Sequence, residues 1–561
     1  MTLLDWLIVL VVNGSIIGYG LYLARGTETS GDWFLASRSL PWWAVGLSMF
    51  ATNVDNADLV GVTGMTYNEG IHVITVYALG SALGGILAAF FLVPAISRRG
   101  FYTNAEYLEA RYGPAARILS ALIQIQYRTS MLGMMIWSTY LVLTRLVALP
   151  PAWAWTLIVL LVILTGLYTA WGGLKSVVWT DSAQGIVMIV AALVIFAAVW
   201  NAVGGWSGLE EKLVAHDART GEQLADRMHV GKYRGDHGDL SPYWIVLGWT
   251  IVGSGYWTVN HTQTMRLMGS RSLTDMKYAA IFGVLLSLPV MIISACLGVL
   301  GHGIENVPEF GTNDELYPWL ANQFLVPGMK GIVVAGMVAA VVSTFDSMGS
   351  ALSAVFTRDV YARLIAPDRS DAHYVIVGRI ATAGVLLIGF AYLPFIMQQE
   401  NMLQAFTTLI PVFVTPLFTV YMLGVFTRVH RRSGIVGLVV GGVYGVIAFV
   451  DRQAVQIAGL LDIDKLPEWY TESLPSWFTE RWVALSWSIL FTLVPMLLVT
   501  LYLGPEDKAE EETWSEKGWL QRSREELPPF SAEDSSASRI ANWLALGLLI
   551  FCGWVTLVWF W

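Results

Sequence analysis

The chain has 561 residues, 55% of them hydrophobic and 13% charged, with a net charge of −9 and a mean hydropathy of +0.57. A water-soluble fold has too little core to hide that much apolar surface, so the composition excludes a soluble globular protein and predicts a polytopic, all-α membrane protein. No basic stripe of the kind that holds nucleic acid is present.

Helices of roughly 20 apolar residues cross a bilayer, and by that length the sequence predicts about fourteen spans. Residues 1–30 hold a leading span, Leu4–Leu23; lacking a basic start and long enough to cross, it is not expected to be a cleaved signal. Pro41–Gly70 follows, then a Gly-rich span, Ile71–Ile96, and an Arg-bearing loop up to Arg117. Further spans are predicted near Ile118–Val147, Ala152–Tyr168 and Val177–Trp200. A polar loop over 205–242 separates these from spans near Tyr243–Met265, Tyr278–Gly301 and Gly331–Val355. After the basic stretch Arg358–Arg379 come Ile380–Ile396, Leu403–Phe426, Ile435–Val450, Ala484–Leu503 and Ile540–Trp561, with an acidic loop over 504–538 before the last. Cys296 and Cys552, far apart in apolar segments, read as small buried residues.

Arg25, Arg38, Arg98, Arg99, Lys175, Arg266, Arg271, Lys277, Arg358, Arg363, Arg428, Arg431 and Arg432 fall in alternate loops. The positive-inside rule makes that side cytoplasmic, with both termini outside and the acidic 504–538 loop inside. The implied location is a cell membrane, of the bacterial inner-membrane type.

Pro41–Gly70 begins and ends like a membrane helix, but its centre is Thr52-Asn53-Val54-Asp55-Asn56-Ala57-Asp58. Carboxylates and amides are costly in hydrocarbon, and Asn and Asp favour turns over helix interiors. The segment reads as a helix broken at mid-membrane, buried in protein or lining a wet cavity, or else as a re-entrant or surface loop between two short buried helices. Five spans later Tyr243–Arg266 is weakened at Gly253-Ser254-Gly255 and at Asn260-His261-Thr262. Two interrupted helices in matching positions suggest inverted five-helix repeats, 31–204 and 243–428, with the site between them. Residues 429–503 and 539–561 would be peripheral helices.

In Gly336–Ser350, residues Ala340, Ser343, Thr344 and Ser347 form one helical stripe. Their hydroxyls and reachable carbonyls suit an alkali cation, which takes about five or six oxygens. The same stripe suits plain helix packing through small residues.

The chain resembles the sodium:solute symporter family, which includes the sodium–glucose cotransporters. The resemblance rests on ATNVDNADLVGVTG, FYTNAEYLEARYG, YTAWGGLKSVVWTDSAQ, YWTVNHTQTMRLMGSRSLTDMK and KGIVVAGMVAAVVSTFDSMGSALSAVFTRDVYARL, in family order over about Asp32–Leu503. It implies the leucine-transporter type fold, alternating access and Na+ as coupling ion. It places the sodium on carbonyls of Ala51, Val54 and Ala340 and hydroxyls of Ser343 and Thr344. Asp181 matches an aspartate near the sodium exit path, and Asp181, Asp346 and Ser347 form the candidate second sodium or proton site. Asp346 departs from the members that couple a second sodium, which carry Ser or Thr; a carboxylate there could bind a cation more strongly, accept a proton, or pair with a basic residue.

At the family's sugar-reading positions stand Asp58, Tyr77, Gly80, Gly253 and Leu286, of which only Asp58 and Tyr77 offer side-chain hydrogen bonds. The resemblance makes Tyr256 an inner-gate tyrosine, with Trp257 a flat wall beside it; both are also ordinary packing aromatics. Arg128 lies about ten residues into its span, near mid-depth, and such an arginine needs an anion. In a family member that takes up an acidic sugar, an arginine on this helix grips the carboxylate. The expected solute is therefore small, polar and anionic or zwitterionic, with a sugar or polyol as the other class. Its expected contacts are Asn53, Asp55, Asp58, Tyr77, Arg128, Tyr256, Trp257 and Asn260. The competing reading pairs Arg128 internally with Asp58. The predicted partners are this solute, sodium and membrane lipid. A proton-coupled permease and a transporter-like sensor are the rival functions; no nucleophile–base or metal-ligand spacing suggests an enzyme.

Overall fold

A computed structural model describes residues 1–23, 30–220, 223–232, 240–399, 401–454, 475–506 and 535–561. Arg25 and most of the acidic 504–538 stretch lie outside the described residues. Among those described, the regular elements are helices, and 10 are long and apolar enough to cross a membrane. One of them, Pro151–Val203, has 53 residues. Straight, it would run about 80 Å against a hydrocarbon core of about 30 Å. It turns at Gly173, whose φ of +58° is one that L side chains rarely adopt, so it supplies the two spans expected there.

Two helices with polar centres are broken into shorter pieces. Pro41–Gly70 is two helices, Trp42–Asn53 and Asn56–Glu69, joined by an extended link at Val54 and Asp55. The acidic residues explain the break. Asp55 Oδ1 accepts the Asp58 amide at 2.9 Å, while Asp58 Oδ2 accepts the Asp55 amide at 3.3 Å. This reciprocal cap satisfies donors that a fresh helix start would leave bare at that depth.

The second broken helix is Pro242–Val259 followed by His261–Met268, parted at Asn260, whose Oδ1 accepts the Thr262 amide at 3.0 Å. The expected interruption at Gly253-Ser254-Gly255 does not occur; those residues are helical. Their smallness serves contact instead: a Cβ on Gly253 would lie 2.6 Å from the Gly80 Cα of the neighbouring Gly-rich span. The two broken helices run in opposite senses. Leu40, just before the first, donates to Gly269 O at 3.2 Å, and Arg271 N returns a bond to Leu40 O at 3.1 Å, just after the second.

Met329–Val355 is buried along most of its length and packs on Pro151–Val203, at the centre of the bundle. Large apolar side chains such as Leu501 and Trp543 face outward, as a lipid-exposed belt requires.

Two segments expected as loops are partly helical. The 205–242 stretch contains Gly205–Thr220, which buries Leu209 and Leu213, one turn apart, beneath a polar face. The Arg-bearing loop contains Asn104–Tyr112, capped by Thr103. Arg117 then binds Asp359 at 2.7 Å, Glu109 at 2.7 Å and Glu106 at 3.3 Å, joining this segment to the end of the central helix.

Candidate ion and solute site

The first break and the central helix meet at Ser343. Its Oγ lies 2.9 Å from the carbonyl oxygens of both Ala51 and Ala340, and Thr344 Oγ1 donates to Ala340 O at 2.9 Å. Ala51 stands in the last turn of its helix, where carbonyls lose their intrahelical partners and the helix dipole is negative. Val54 is buried at the start of the extended link, its amide closing the last bond of the helix to Phe50 O at 2.9 Å. Four of the five residues expected to hold sodium are thus in mutual contact, and the fifth is three residues from Ala51. Their oxygens are neutral and hard, the donor type that a small alkali cation accepts in a buried site.

One helical turn further on, Thr52 Oγ1 lies 3.0 Å from Ser347 Oγ. Asp181, Asp346 and Ser347 come together as expected: Ser347 Oγ donates to Asp346 Oδ1 at 3.3 Å and lies 3.4 Å from Asp181 Oδ2. The sequence reading placed Arg266 among the cytoplasmic loop charges. Instead it is fully buried, and its guanidinium enters this cluster. It bonds Asp181 Oδ2 at 2.8 Å, Ser48 Oγ at 2.7 Å, Thr262 O at 2.5 Å and also Ser347 Oγ. Tyr168, likewise unforeseen, donates to Asp346. The signal available was Asp181 itself, since an acid inside a membrane requires a partner.

Beside the break is a cavity of about 40 Å³ lined by Asn53, Asp55, Asp58, Tyr77 and Tyr256, with Met131, Met134, Met135, Met402 and Phe406. Tyr77 donates to Asp58 Oδ1 at 2.6 Å, and Tyr256 donates to Thr52 O at 3.0 Å. The methionine share was not foreseen; these flexible side chains adapt to irregular ligands.

Arg128 is 1% exposed and sits behind this lining. Its Nη1 is 2.7 Å from Met131 Sδ, its guanidinium carbon is 5.3 Å from the Tyr256 ring centre, and its Nε and Nη2 have no hydrogen-bond partner among the described residues. The alternative pairing with Asp58 is not formed; that carboxylate instead accepts the Asp55 amide and the Tyr77 hydroxyl, one on each oxygen, which leaves it further acceptor capacity. Trp257 and Asn260 do not line the cavity. Trp257 turns toward Gly84, Gly85 and Gly283, and Asn260 caps its own helix.

The profile of the Sodium:solute symporter family matches residues 33–441 of this sequence, spanning the first break, Asp181, the second break and Ser343. The chain belongs to that family. A sodium/glucose cotransporter of Vibrio parahaemolyticus is 29% identical over 470 residues, covering 78% of this chain and 84% of the relative. Sodium/glucose cotransporter 1 of Ovis aries is 24% identical over 92% of this chain and 81% of its own length. Sodium/myo-inositol cotransporter 2 of Homo sapiens is 26% identical over 78% and 68%. Among solved structures, the substrate-bound, outward-open form of a Na+-coupled sialic acid symporter superposes with a TM-score of 0.72 at 20% identity, covering 90% of this chain and 99% of that one. Mhp1, a nucleobase-cation-symport-1 family transporter, superposes with 0.52 at 13% identity over 88% and 100%. The family member described here is a multi-pass symporter with the leucine-transporter type of fold, and sodium is its coupling ion.

Proposed function

We propose that this symporter imports a small zwitterionic solute, one sodium ion per cycle, by alternating access. The observation that carries the solute class is the mixed charge around the cavity. Asp55 and Asp58 line it, while a buried guanidinium with unpartnered nitrogens stands behind Met131 and Tyr256. An amine facing the acids and a carboxylate reaching Arg128 would answer both. The present space of about 40 Å³ is below the size of such a solute, so Met131 and Tyr256 must part to admit it.

In this reading sodium sits on Ala51, Val54, Ala340, Ser343 and Thr344 and braces the broken helix against the central one. Solute then closes the outer side. Inward opening separates those two helices, the oxygens move apart, and ion and solute leave. Both ligands must prefer the same states, since a ligand with equal affinity for two states shifts neither. A membrane potential of about 100 mV adds about 2.3 kcal/mol per charge moved inward.

The single-ion stoichiometry rests on Arg266, which supplies a tethered cation to Asp181 and Ser347. The architecture in this reading is two inverted repeats over 31–204 and 243–428, about fourteen spans by the length rule, and both termini outside a bacterial inner membrane. The opposed broken helices support the inversion.

Uptake into proteoliposomes decides the main points. Accumulation is expected with a sodium gradient alone and not with a proton gradient alone. A zwitterion should compete better than its methyl ester or its deaminated analogue. Uptake driven only by protons would favour Asp181 and Asp346 as proton carriers, and unimpeded competition by neutral sugars would defeat the zwitterion assignment.

A further inference from the structure

A second cavity lies on the outer surface, away from the transport site. Its volume is about 290 Å³, and it runs between the first half of Pro151–Val203 and Asp371–Ile388. Ile163, Leu167, Ile380 and Leu387 form much of its wall and are 45–69% exposed, so the groove opens toward the surrounding bilayer. One lining residue is charged: Arg379.

Arg379 is held at one end. Its Nε donates to Ala170 O at 3.1 Å, and Trp33 Nε1 donates to the same oxygen at 3.2 Å. Ala170 comes just before the Gly173 turn, where the helix ends and its carbonyls lack intrahelical partners. The remaining guanidinium nitrogens have no protein partner among the described residues, and no carboxylate is paired with Arg379. This end also carries Lys175 and the start of Asp371–Ile388, which marks it as the membrane boundary. From Arg379 to Leu387 the helix descends about 12 Å, all of it beside apolar side chains.

We infer that this groove binds an anionic phospholipid, its headgroup phosphate on Arg379 and one acyl chain along the groove toward Leu387. The apolar trough alone would accept any lipid. The cation fixed at its boundary end, with free donors and no acidic neighbour bonded to it, gives the preference for negative charge. Basic pockets between helices at the cytoplasmic level recognise lipid headgroups in this way, and a guanidinium matches phosphate with paired donors.

The test is competition of phosphatidylglycerol against phosphatidylcholine of identical chains on the purified full chain, read as lipid retained by native mass spectrometry. The wild type should retain phosphatidylglycerol about fivefold over phosphatidylcholine, the ratio one basic contact supplies. Arg379→Gln should bring the ratio to near one, Arg379→Lys should keep most of it, and Ala383→Trp, which fills the trough, should lower retention of both lipids. Melting curves in phosphatidylcholine check that each variant is folded. If Arg379→Gln retains the wild-type ratio, the inference is overturned. It is equally overturned if cysteines placed at Trp171 and Ile380 cross-link two copies of the chain in membranes, because the groove would then be a protein interface.

Discussion

Ser343 Oγ lies 2.9 Å from the carbonyl oxygen of Ala51, joining a helix end at the first break to a residue of the central helix 292 positions later. The contact places a hydroxyl where a carbonyl has just left its ladder. Replacing Ser343 and Thr344 by alanine removes two oxygens from the proposed ion site. At about 1 kcal/mol each, the sodium concentration for half-maximal uptake should rise roughly 30-fold. Uptake with unaltered sodium dependence in a folded double variant would remove the ion from this place.

Arg128 should act on solute alone. Arg128→Gln takes away a charge-assisted bond of about 1.5–3 kcal/mol, weakening a carboxylate solute roughly 10- to 150-fold. The neutral ester should be little affected, and sodium binding measured without solute should be unchanged. A variant that loses ester and acid equally would mark Arg128 as structural.

Gly253 and Gly80 meet backbone to backbone, and a methyl on Gly253 would stand 2.6 Å from the Gly80 Cα. Gly253→Ala should destabilise by about 1–3 kcal/mol through overpacking. Gly14, whose added Cβ meets nothing within 4 Å, is the control. There alanine should be neutral or stabilise by about 0.5–1 kcal/mol, because helical glycine carries excess backbone entropy. Paired melting curves in one detergent read the difference.

Asp314, in the short turn Asn313–Glu315, clasps that segment to the start of Met402–Phe426, accepting from Met402 N at 2.9 Å and Asn401 Nδ2 at 2.7 Å. Burial pushes its carboxyl up to about 7 from 3.8, against the lowering effect of the Met402 amide. Because the folded state binds this proton more tightly, the stabilisation is complete below about pH 4 and is lost as pH rises through about 7. Asp314→Asn should therefore flatten the melting temperature across that window. A wild-type profile unchanged by the substitution would show that another group titrates.

Much of this arrangement was legible in the chain. The break at Val54 and Asp55 was readable because acid and amide side chains in an apolar run have few physical outcomes, and here they cap a helix. The stripe Ala340, Ser343, Thr344 and Ser347 was readable because helical spacing puts those residues on one face. Arg266 reads as a loop charge because it lies seven residues beyond the apolar run Trp249–Val259, among polar residues that resemble a loop. Only folding brings it to Asp181, 85 positions away. The helix Gly205–Thr220 was missed since its few buried leucines are diluted by charge.

By itself, the sequence determined that the chain lives in a bilayer, that two of its helices break, and which hydroxyls share a face. These follow from local chemistry, from hydropathy, turn preference and helical period. The tertiary structure alone decided which charges are partnered. It set Arg266 against Asp181 and left Arg128 unpaired behind Met131, because pairing between distant segments depends on where the packed helices place them.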